Sequence, residues 1–231
     1  MALQSRRILL TRPADQGARF AAALRDRFGA QIDIDESPLI APRLLSPALP
    51  AGPFDAVIFT SETAVLAAAT LTGLPRIAFT VGDRTAAAAR AAGFMARSAA
   101  SDAAGLVDLL TTTKPGRVLH LHGLDTRGDV VMYLRGAGMQ AEGAVVYVQQ
   151  PQPLTCHAQD WLDDDQAVIV PLFSPRTATL FSAAQVTAPL WLASLSPAVN
   201  DAATLPAARR VIALRPDAQA MIDAVATLLG P

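Results

Sequence analysis

The chain has 231 residues, of which 52% are apolar and 17% are charged, and its 19 basic and 20 acidic side chains nearly cancel. Such a composition can bury a core, which excludes general disorder, and the net charge of -1 argues against a generic nucleic-acid binder. The single cysteine, Cys156, excludes an internal disulfide and a cysteine-rich zinc or iron–sulfur site.

Short apolar runs alternate along the chain with helical patterns. Each run carries apolar side chains on both faces, which is typical of central strands in a parallel sheet that helices cover on both sides. The predicted strands are Arg7–Thr11, Ala56–Thr60, Ile77–Val81, Arg117–Leu121, Ala144–Gln149, Ala167–Leu172, Leu190–Ser194 and Arg210–Leu214.

Helix-start signals follow most of these strands. Pro13 precedes a predicted helix over Ala14–Phe28 that Gly29 ends, and Ser174 and Ser196 are each followed by a proline at the first helical position. The alternation of strands and helices predicts a doubly wound α/β fold. Further helices are predicted over Glu62–Thr70, Arg84–Ala92 and Ala103–Leu110.

The sequence also resembles itself at an offset of about 110–115 residues, which is too long for a solenoid period and predicts two similar α/β domains. The matching segments are Arg7-Ile8-Leu9 with Arg117-Val118-Leu119, Thr63-Ala64 with Thr177-Ala178, and residues 102–108 with 217–223.

Two proline-bearing segments, residues 37–42 and 146–153, occupy equivalent places in the two repeats. Proline suits edge or linker strands better than central ones. If both segments cross between domains, the middle of the chain forms one domain and its two ends form the other. The residue pattern alone leaves two sequential halves as an equal alternative.

The helix N-termini of a parallel sheet gather at the carboxyl edge of its strands and present unpaired N–H groups there. Two such edges facing each other would form a cleft suited to a ligand with several carboxylates or phosphates. Arg12, Arg84, Arg127 and Arg176 follow strand ends and would add positive charge. The alternative is that the serines are ordinary helix caps and the arginines are solvated.

Several familiar motifs are absent, including a glycine-rich dinucleotide fingerprint, a phosphate-binding loop and a nucleophile elbow. His120 and His122 alternate on a strand and could supply two metal ligands, but no third ligand has a recognisable spacing. Cys156 and His157 lack an evident orienting acid, which argues against a thiol nucleophile. These residues therefore indicate neither a dinucleotide site nor a metal site.

Six short segments lie in order over nearly the whole chain. They are Leu9-Leu10-Thr11-Arg12-Pro13, Val57-Ile58-Phe59-Thr60-Ser61, Val81-Gly82-Asp83-Arg84-Thr85-Ala86, Val146-Tyr147, Phe173-Ser174-Pro175-Arg176-Thr177-Ala178 and Leu195-Ser196-Pro197-Ala198-Val199. With the length and the duplication, this ordered set resembles the uroporphyrinogen-III synthase family, the ring-closing enzymes of tetrapyrrole biosynthesis.

The resemblance implies two flavodoxin-like, doubly wound parallel-sheet domains that arose by internal duplication and are joined by a two-stranded linker. It selects the interleaved arrangement, with residues 1–36 and 153–231 in one domain and residues 42–146 in the other. Residues 37–41 and 147–152 would be the linker strands.

The resemblance also implies the reaction. The substrate would be hydroxymethylbilane, a linear tetrapyrrole with eight carboxylates, which a lyase would close with inversion of ring D and loss of water to give uroporphyrinogen III. No cofactor or metal would be needed. Without a visible signal peptide or membrane segment, we expect a cytoplasmic monomer with no nucleic-acid or membrane partner. The alternative is a non-catalytic two-domain receptor for a small anion.

Specific residues follow from the matching motifs. Tyr147 corresponds to a family tyrosine and would help the substrate hydroxyl to leave, since a phenol can donate a proton or a hydrogen bond. One position departs from the pattern, because Val199 stands where some members carry threonine, and we expect that hydroxyl to be dispensable. The residues expected to bind substrate are Arg12, Thr60, Ser61, Thr85, Ser174, Arg176 and Ser196.

Overall fold

The computed structural model describes residues 6–126 and 128–230, and those residues form eleven β-strands. The strands are β1 Arg6–Leu10, β2 Ile32–Glu36, β3 Ile40–Leu44, β4 Ala56–Phe59, β5 Ile77–Thr80, β6 Met95–Ser98, β7 Val118–Gly123, β8 Ala141–Pro151, β9 Val168–Leu172, β10 Leu190–Ser194 and β11 Arg209–Ile212.

The described ranges contain nine α-helices, eight between strands and the last after β11, and one 3-10 turn, Gly29–Gln31, follows the first of them. The helices are α1 Ala14–Phe28, α2 Glu62–Ala68, α3 Asp83–Ala91, α4 Ala103–Thr113, α5 Val130–Gly136, α6 Cys156–Asp163, α7 Pro175–Phe181, α8 Pro197–Ala202 and α9 Ala218–Leu229. Within residues 6–126 and 128–230, no helix has the length and apolar character needed to span a bilayer.

The described chain divides into two compact units. The first unit takes the residues up to Ala41 and from Pro151 onward, and the second runs from Pro42 to Gln150. The first contains a five-stranded sheet in the order β11-β10-β9-β1-β2, and the second a six-stranded sheet in the order β3-β8-β7-β4-β5-β6. The neighbouring strands in β2-β1-β9-β10-β11 pair in parallel, and so do the neighbouring strands in β8-β7-β4-β5-β6. The predicted α/β fold with parallel sheets is thus confirmed.

Both faces of the first sheet are buried, as the continuous apolar strands predict. On β1, Ile8 and Leu10 pack in one core with Leu24 of α1 and Met221 of α9. Leu9, between them, points to the opposite face and joins a second core with residues of α6, α7 and α8. Because side chains alternate along a strand, this sheet packs against helices on both of its faces.

The second sheet is covered in the same way. Val57 and Phe59 of β4 pack on one face with the alanine-rich helices α2 and α3. Ile58, on the other face, packs with Leu110 of α4 and Leu134 of α5. Successive residues at the end of β4 consequently face different surroundings, which matters for the hydroxyl residues that follow it.

The helix over Ala14–Phe28 has the bounds that the sequence predicts, and each predicted strand overlaps an observed one. One strand differs in character, because β11 is an exposed edge strand and not a central one. The sequence prediction missed β2 and β6. Both carry charged residues, which masks the apolar signal of a buried strand.

Candidate active site

Two hydroxyl residues, Thr60 and Ser61, follow β4 at the carboxyl edge of the second sheet. Ser61 is the N-cap of α2, and its Oγ accepts a hydrogen bond of 3.1 Å from the backbone N–H of Ala64. The extended backbone of Ser61 permits this geometry, which is the usual role of serine at a helix start. The cap fixes the Ser61 hydroxyl at the edge of the sheet.

The Ser61 hydroxyl also contacts the phenol of Tyr147. The Oη of Tyr147, on β8, lies 3.1 Å from the Oγ of Ser61. Tyr147 is half-buried against the core that α2 and α3 cover, and its carbonyl accepts a hydrogen bond of 2.9 Å from the backbone N–H of Leu124. Ser61 and Tyr147, 86 positions apart, are thus held together within the second unit.

Gly123 at the end of β7 makes room for the Tyr147 ring. The register between β7 and β8 shifts at this point, so that Gly123 lies opposite Tyr147. A β-carbon on Gly123 would be 2.5 Å from Cζ of Tyr147 and 2.9 Å from its Oη. No larger residue fits there unless the ring moves, so Gly123 determines where the phenol lies.

Thr60 has a different neighbour on the other face of the sheet. Its Oγ1 lies 3.3 Å from Nε2 of His120, which is only 4% exposed. Burial lowers the pKa of His120 from its ordinary value of 6.5 to about 3, and the charge of His122 acts in the same direction. Asp129 opposes this shift. His120 is therefore neutral near pH 7.

The turn after β5 leads into α3. Its N-cap is Gly82, whereas the sequence predicts the helix to start one residue later, after Asp83. Thr85 lies buried in the first turn, at 8% exposure. Arg84 is exposed and pairs with Glu62 of α2 at 2.7 Å, so its charge is partly compensated. Arg127 lies outside the described residues.

Arg12 follows β1 in the first unit. Its guanidinium carbon lies 3.7 Å from the ring centroid of Phe173, and its Nη2 donates a hydrogen bond of 3.0 Å to Gln16. Burial, and the charge of Arg19, lower the pKa of Arg12. Its Nε is buried and has no hydrogen-bond partner among the described residues, so one donor of this stacked cation is unused.

The serines of the first unit are helix caps, as the sequence predicts. Ser174 Oγ accepts from the backbone N–H of Thr177 at 3.1 Å and lies 2.9 Å from the hydroxyl of the same threonine. Ser196 Oγ accepts from the N–H of Val199 at 3.4 Å. Arg176 is exposed on the first turn of α7.

The histidines form no three-ligand site. His120 and His122 share one face of β7, with ring centroids 4.8 Å apart. In the part of the chain that the structure describes, no group of three His, Cys, Asp or Glu side chains could hold a metal ion. His157 has an acidic partner that the sequence prediction missed, because Asp35 lies on the unpredicted strand β2, with Oδ1 3.3 Å from Nδ1.

The sequence prediction missed two neighbours of predicted site residues. His120 contacts Thr60, and Gly123 lies against Tyr147. Only the alternation of His120 with His122 on one strand hinted at a shared face. The close approach of Gly123 to Tyr147 depends on a strand irregularity that leaves no local signal.

The family comparison gives the identity. A family model described as "Uroporphyrinogen-III synthase HemD" matches residues 19–223, which is most of the chain. The chain belongs to the uroporphyrinogen-III synthase family. This confirms the resemblance seen in the sequence motifs. A uroporphyrinogen-III synthase is an enzyme, a lyase-type cyclase of porphyrin and heme biosynthesis.

One solved structure shares the fold of this chain. The crystal structure of uroporphyrinogen-III synthetase from Helicobacter pylori 26695 is similar at a TM-score of 0.63 with 19% identity, over 96% of this chain and 99% of that one, and it supports the fold. A mutant uroporphyrinogen III synthase from the extremely thermophilic bacterium Thermus thermophilus has a TM-score of 0.45 and 15% identity, over 97% of each chain. The sequence matches no curated protein.

Proposed function

We propose that the protein closes hydroxymethylbilane to uroporphyrinogen III, with inversion of ring D and loss of water. The observation that carries this proposal is the family match over residues 19–223. No observation favours the alternative of a non-catalytic anion receptor.

The chemistry explains what the enzyme has to supply. The terminal pyrrole expels its hydroxyl with help from the ring nitrogen, which leaves an electrophilic azafulvene. Free in water, the chain can close to the unrearranged isomer. To reach the type III isomer, the substituted carbon of ring D must attack, form a spiro intermediate, fragment and reclose. Holding the chain for that attack is the main task, and positioning can contribute roughly 7–11 kcal/mol in favourable cases.

Tyr147 is the proposed donor to the departing hydroxyl. Ser61 Oγ accepts from the N–H of Ala64, and its one hydrogen can then be donated to Tyr147 Oη. That arrangement leaves the phenolic hydrogen of Tyr147 free to be donated to the substrate. As the hydroxyl leaves with this proton, water is released, and the proton that ring D loses when it regains aromaticity after reclosing restores the phenol. The contact between Ser61 and Tyr147 supports the proposal because it both holds and orients the phenol.

The proposed substrate contacts are hydrogen-bond donors suited to acetate and propionate side chains. Arg12 has the strongest support, since its guanidinium is held in place by stacking on Phe173. Val199 is buried in a core of the first unit, which supports the proposal that no hydroxyl is required there. The full proposed set is Arg12, Thr60, Ser61, Thr85, Ser174, Arg176 and Ser196.

We also infer that the two units arose by internal duplication. Reading β2-β1-β9-β10-β11 against β8-β7-β4-β5-β6 gives the same order of equivalent strands, and this order is that of flavodoxin-like sheets. The sequence repeats agree, because Arg7-Ile8-Leu9 lies in β1 and its match, residues 117–119, leads into β7.

Residues 37–41 and 147–152 would be the linker strands. Limited proteolysis that cuts within these residues and spares both units would support these bounds.

The function is tested by incubating the purified protein with hydroxymethylbilane and separating the two isomers of the product. We expect the type III isomer. If the protein were an anion receptor, the bilane would close unaided to the type I isomer. A simple carboxylate would then raise the melting temperature of the protein. A monomeric state and a cytoplasmic location stay predictions, which sedimentation and cell fractionation can check.

A further inference from the structure

His120 takes no part in the mechanism above, although it lies next to a proposed substrate contact. It is opposite Ile58 in the register between β7 and β4, and Thr60 follows two residues later on the same face. The imidazole therefore leans along the sheet toward the carboxyl edge, where its Nε2 is 3.3 Å from Thr60 Oγ1. A buried ring is thus connected to a hydroxyl on an exposed residue.

The other neighbours of the His120 ring come from its own strand, from β8 and from the start of α5. On the same strand, the ring centroid of His122 lies 4.8 Å from that of His120, and Nδ1 of His122 donates to the carbonyl of Gly123 at 2.8 Å. Asp129, the N-cap of α5, is the acidic group that acts on His120. Gly143 of β8 is its register partner and carries no charge.

The position of the one proton on the neutral ring decides what Thr60 can offer. If the proton is on Nε2, the ring donates to Thr60 Oγ1, and the hydroxyl keeps its own hydrogen for a ligand. If the proton is on Nδ1, Nε2 accepts the threonine hydrogen, and Thr60 offers only lone pairs. A carboxylate requires a donor, so only the first arrangement suits the polycarboxylate substrate.

We propose that His120 is a positioning residue, which donates Nε2–H to Thr60 so that the threonine hydroxyl presents its hydrogen to a substrate carboxylate. The identity of the ligand rests on the proposed function. The arrangement of His120 and Thr60 does not, because it exists in the protein without substrate.

The first test needs no substrate. The ring nitrogens of the protein labelled with nitrogen-15 histidine are observed by NMR at pH 7, and the His120 signals are assigned by their loss in His120→Gln. We expect a protonated Nε2 and an unprotonated Nδ1. A proton on Nδ1 would overturn the proposal, whether or not the protein makes uroporphyrinogen III.

The second test separates positioning from stability by kinetics. We expect Thr60→Val and His120→Leu each to raise KM for hydroxymethylbilane about tenfold with little change in kcat, as for the loss of one hydrogen bond to a charged group. The double variant should be no worse than Thr60→Val, because both changes remove the same contact. Additive effects, or a loss confined to kcat, would contradict the proposal.

Two further variants keep this test decisive. His120→Gln can place an amide donor near the position of Nε2, so it should retain most of the affinity even if His120→Leu does not fold. His157→Leu, which removes a histidine on an exposed residue in the first unit, should leave KM unchanged. A His120→Gln variant that folds but binds as poorly as Thr60→Val would count against donation by His120. Absence of type III product from the unmodified protein would instead count against the proposed function.

Discussion

The phenolic oxygen of Tyr147 lies 3.1 Å from Oγ of Ser61, the residue that caps α2. One serine hydroxyl therefore anchors both a helix start and the proposed acid. The orientation of the phenol depends on the end of β4 as much as on its own strand, β8. Substitutions at Ser61, Gly123 and Tyr147 should consequently all affect proton donation by the phenol.

We expect Tyr147→Phe to slow formation of the type III isomer by about 10²-fold, the lower end of what a positioned proton donor contributes. The melting temperature should change little, because the ring remains packed. The control is Tyr133→Phe, which removes the chain's other phenol from an exposed position on α5. Equal rates for the two variants would remove Tyr147 from the mechanism without affecting the family assignment.

Gly123→Ala should displace the Tyr147 ring, since the new methyl group would lie 2.5 Å from Cζ. The clash is with the outer end of a side chain, so we expect a lower rate of ring closure and only a small change in unfolding free energy. Gly136→Ala is the matched control in the same unit, because nothing lies within 4 Å of its β-carbon position. A rate for Gly123→Ala equal to that of the control would show that the phenol position is unimportant.

Arg12→Lys tests the stacked guanidinium. Lysine keeps the charge but loses the planar contact with Phe173, found here at 3.7 Å, and the fork of donors that suits a carboxylate. We expect KM for hydroxymethylbilane to rise about tenfold, as for one lost charge-assisted hydrogen bond. Arg25→Lys, on the exposed face of α1, provides the comparison and should leave KM unchanged. A KM for Arg12→Lys that also stays unchanged would exclude this residue from binding.

His120 should make stability depend on pH. Its pKa is lowered in the folded state, so between pH 6.5 and about 3 the unfolded chain binds a proton that folded His120 does not. The free energy of unfolding should therefore fall as the pH falls through this range, by up to about 1.4 kcal/mol per pH unit. His120→Gln should remove that part of the slope in urea titrations, whereas His157→Gln should retain it. Identical slopes for His120→Gln and the unmodified protein would refute the assignment.

Local signals predicted much of the fold. The apolar runs located β1, β4 and β9, and proline and glycine marked the ends of α1. The strands β2 and β6 escaped, because a sheet edge tolerates charged residues and so breaks the apolar pattern. Tyr147 could be named only from the family resemblance, since a single tyrosine on a strand has no distinctive pattern of its own.

The contacts that hold the site could not be predicted from sequence. Ser61 and Tyr147 are 86 positions apart, and Thr60 and His120 are 60 apart. Their proximity depends on the order and register of β4, β7 and β8, and the role of Gly123 depends on a one-residue register shift. Such long-range geometry is decided by sheet assembly, not by local propensity.

The most direct measurement of the central claim is the isomer ratio formed from hydroxymethylbilane at increasing concentrations of the purified protein. We predict that the share of uroporphyrinogen III rises with protein concentration until it dominates, because directed attack outpaces unaided closure. A ratio that stays at the value of protein-free buffer, with type I as the product at every concentration, would contradict the account.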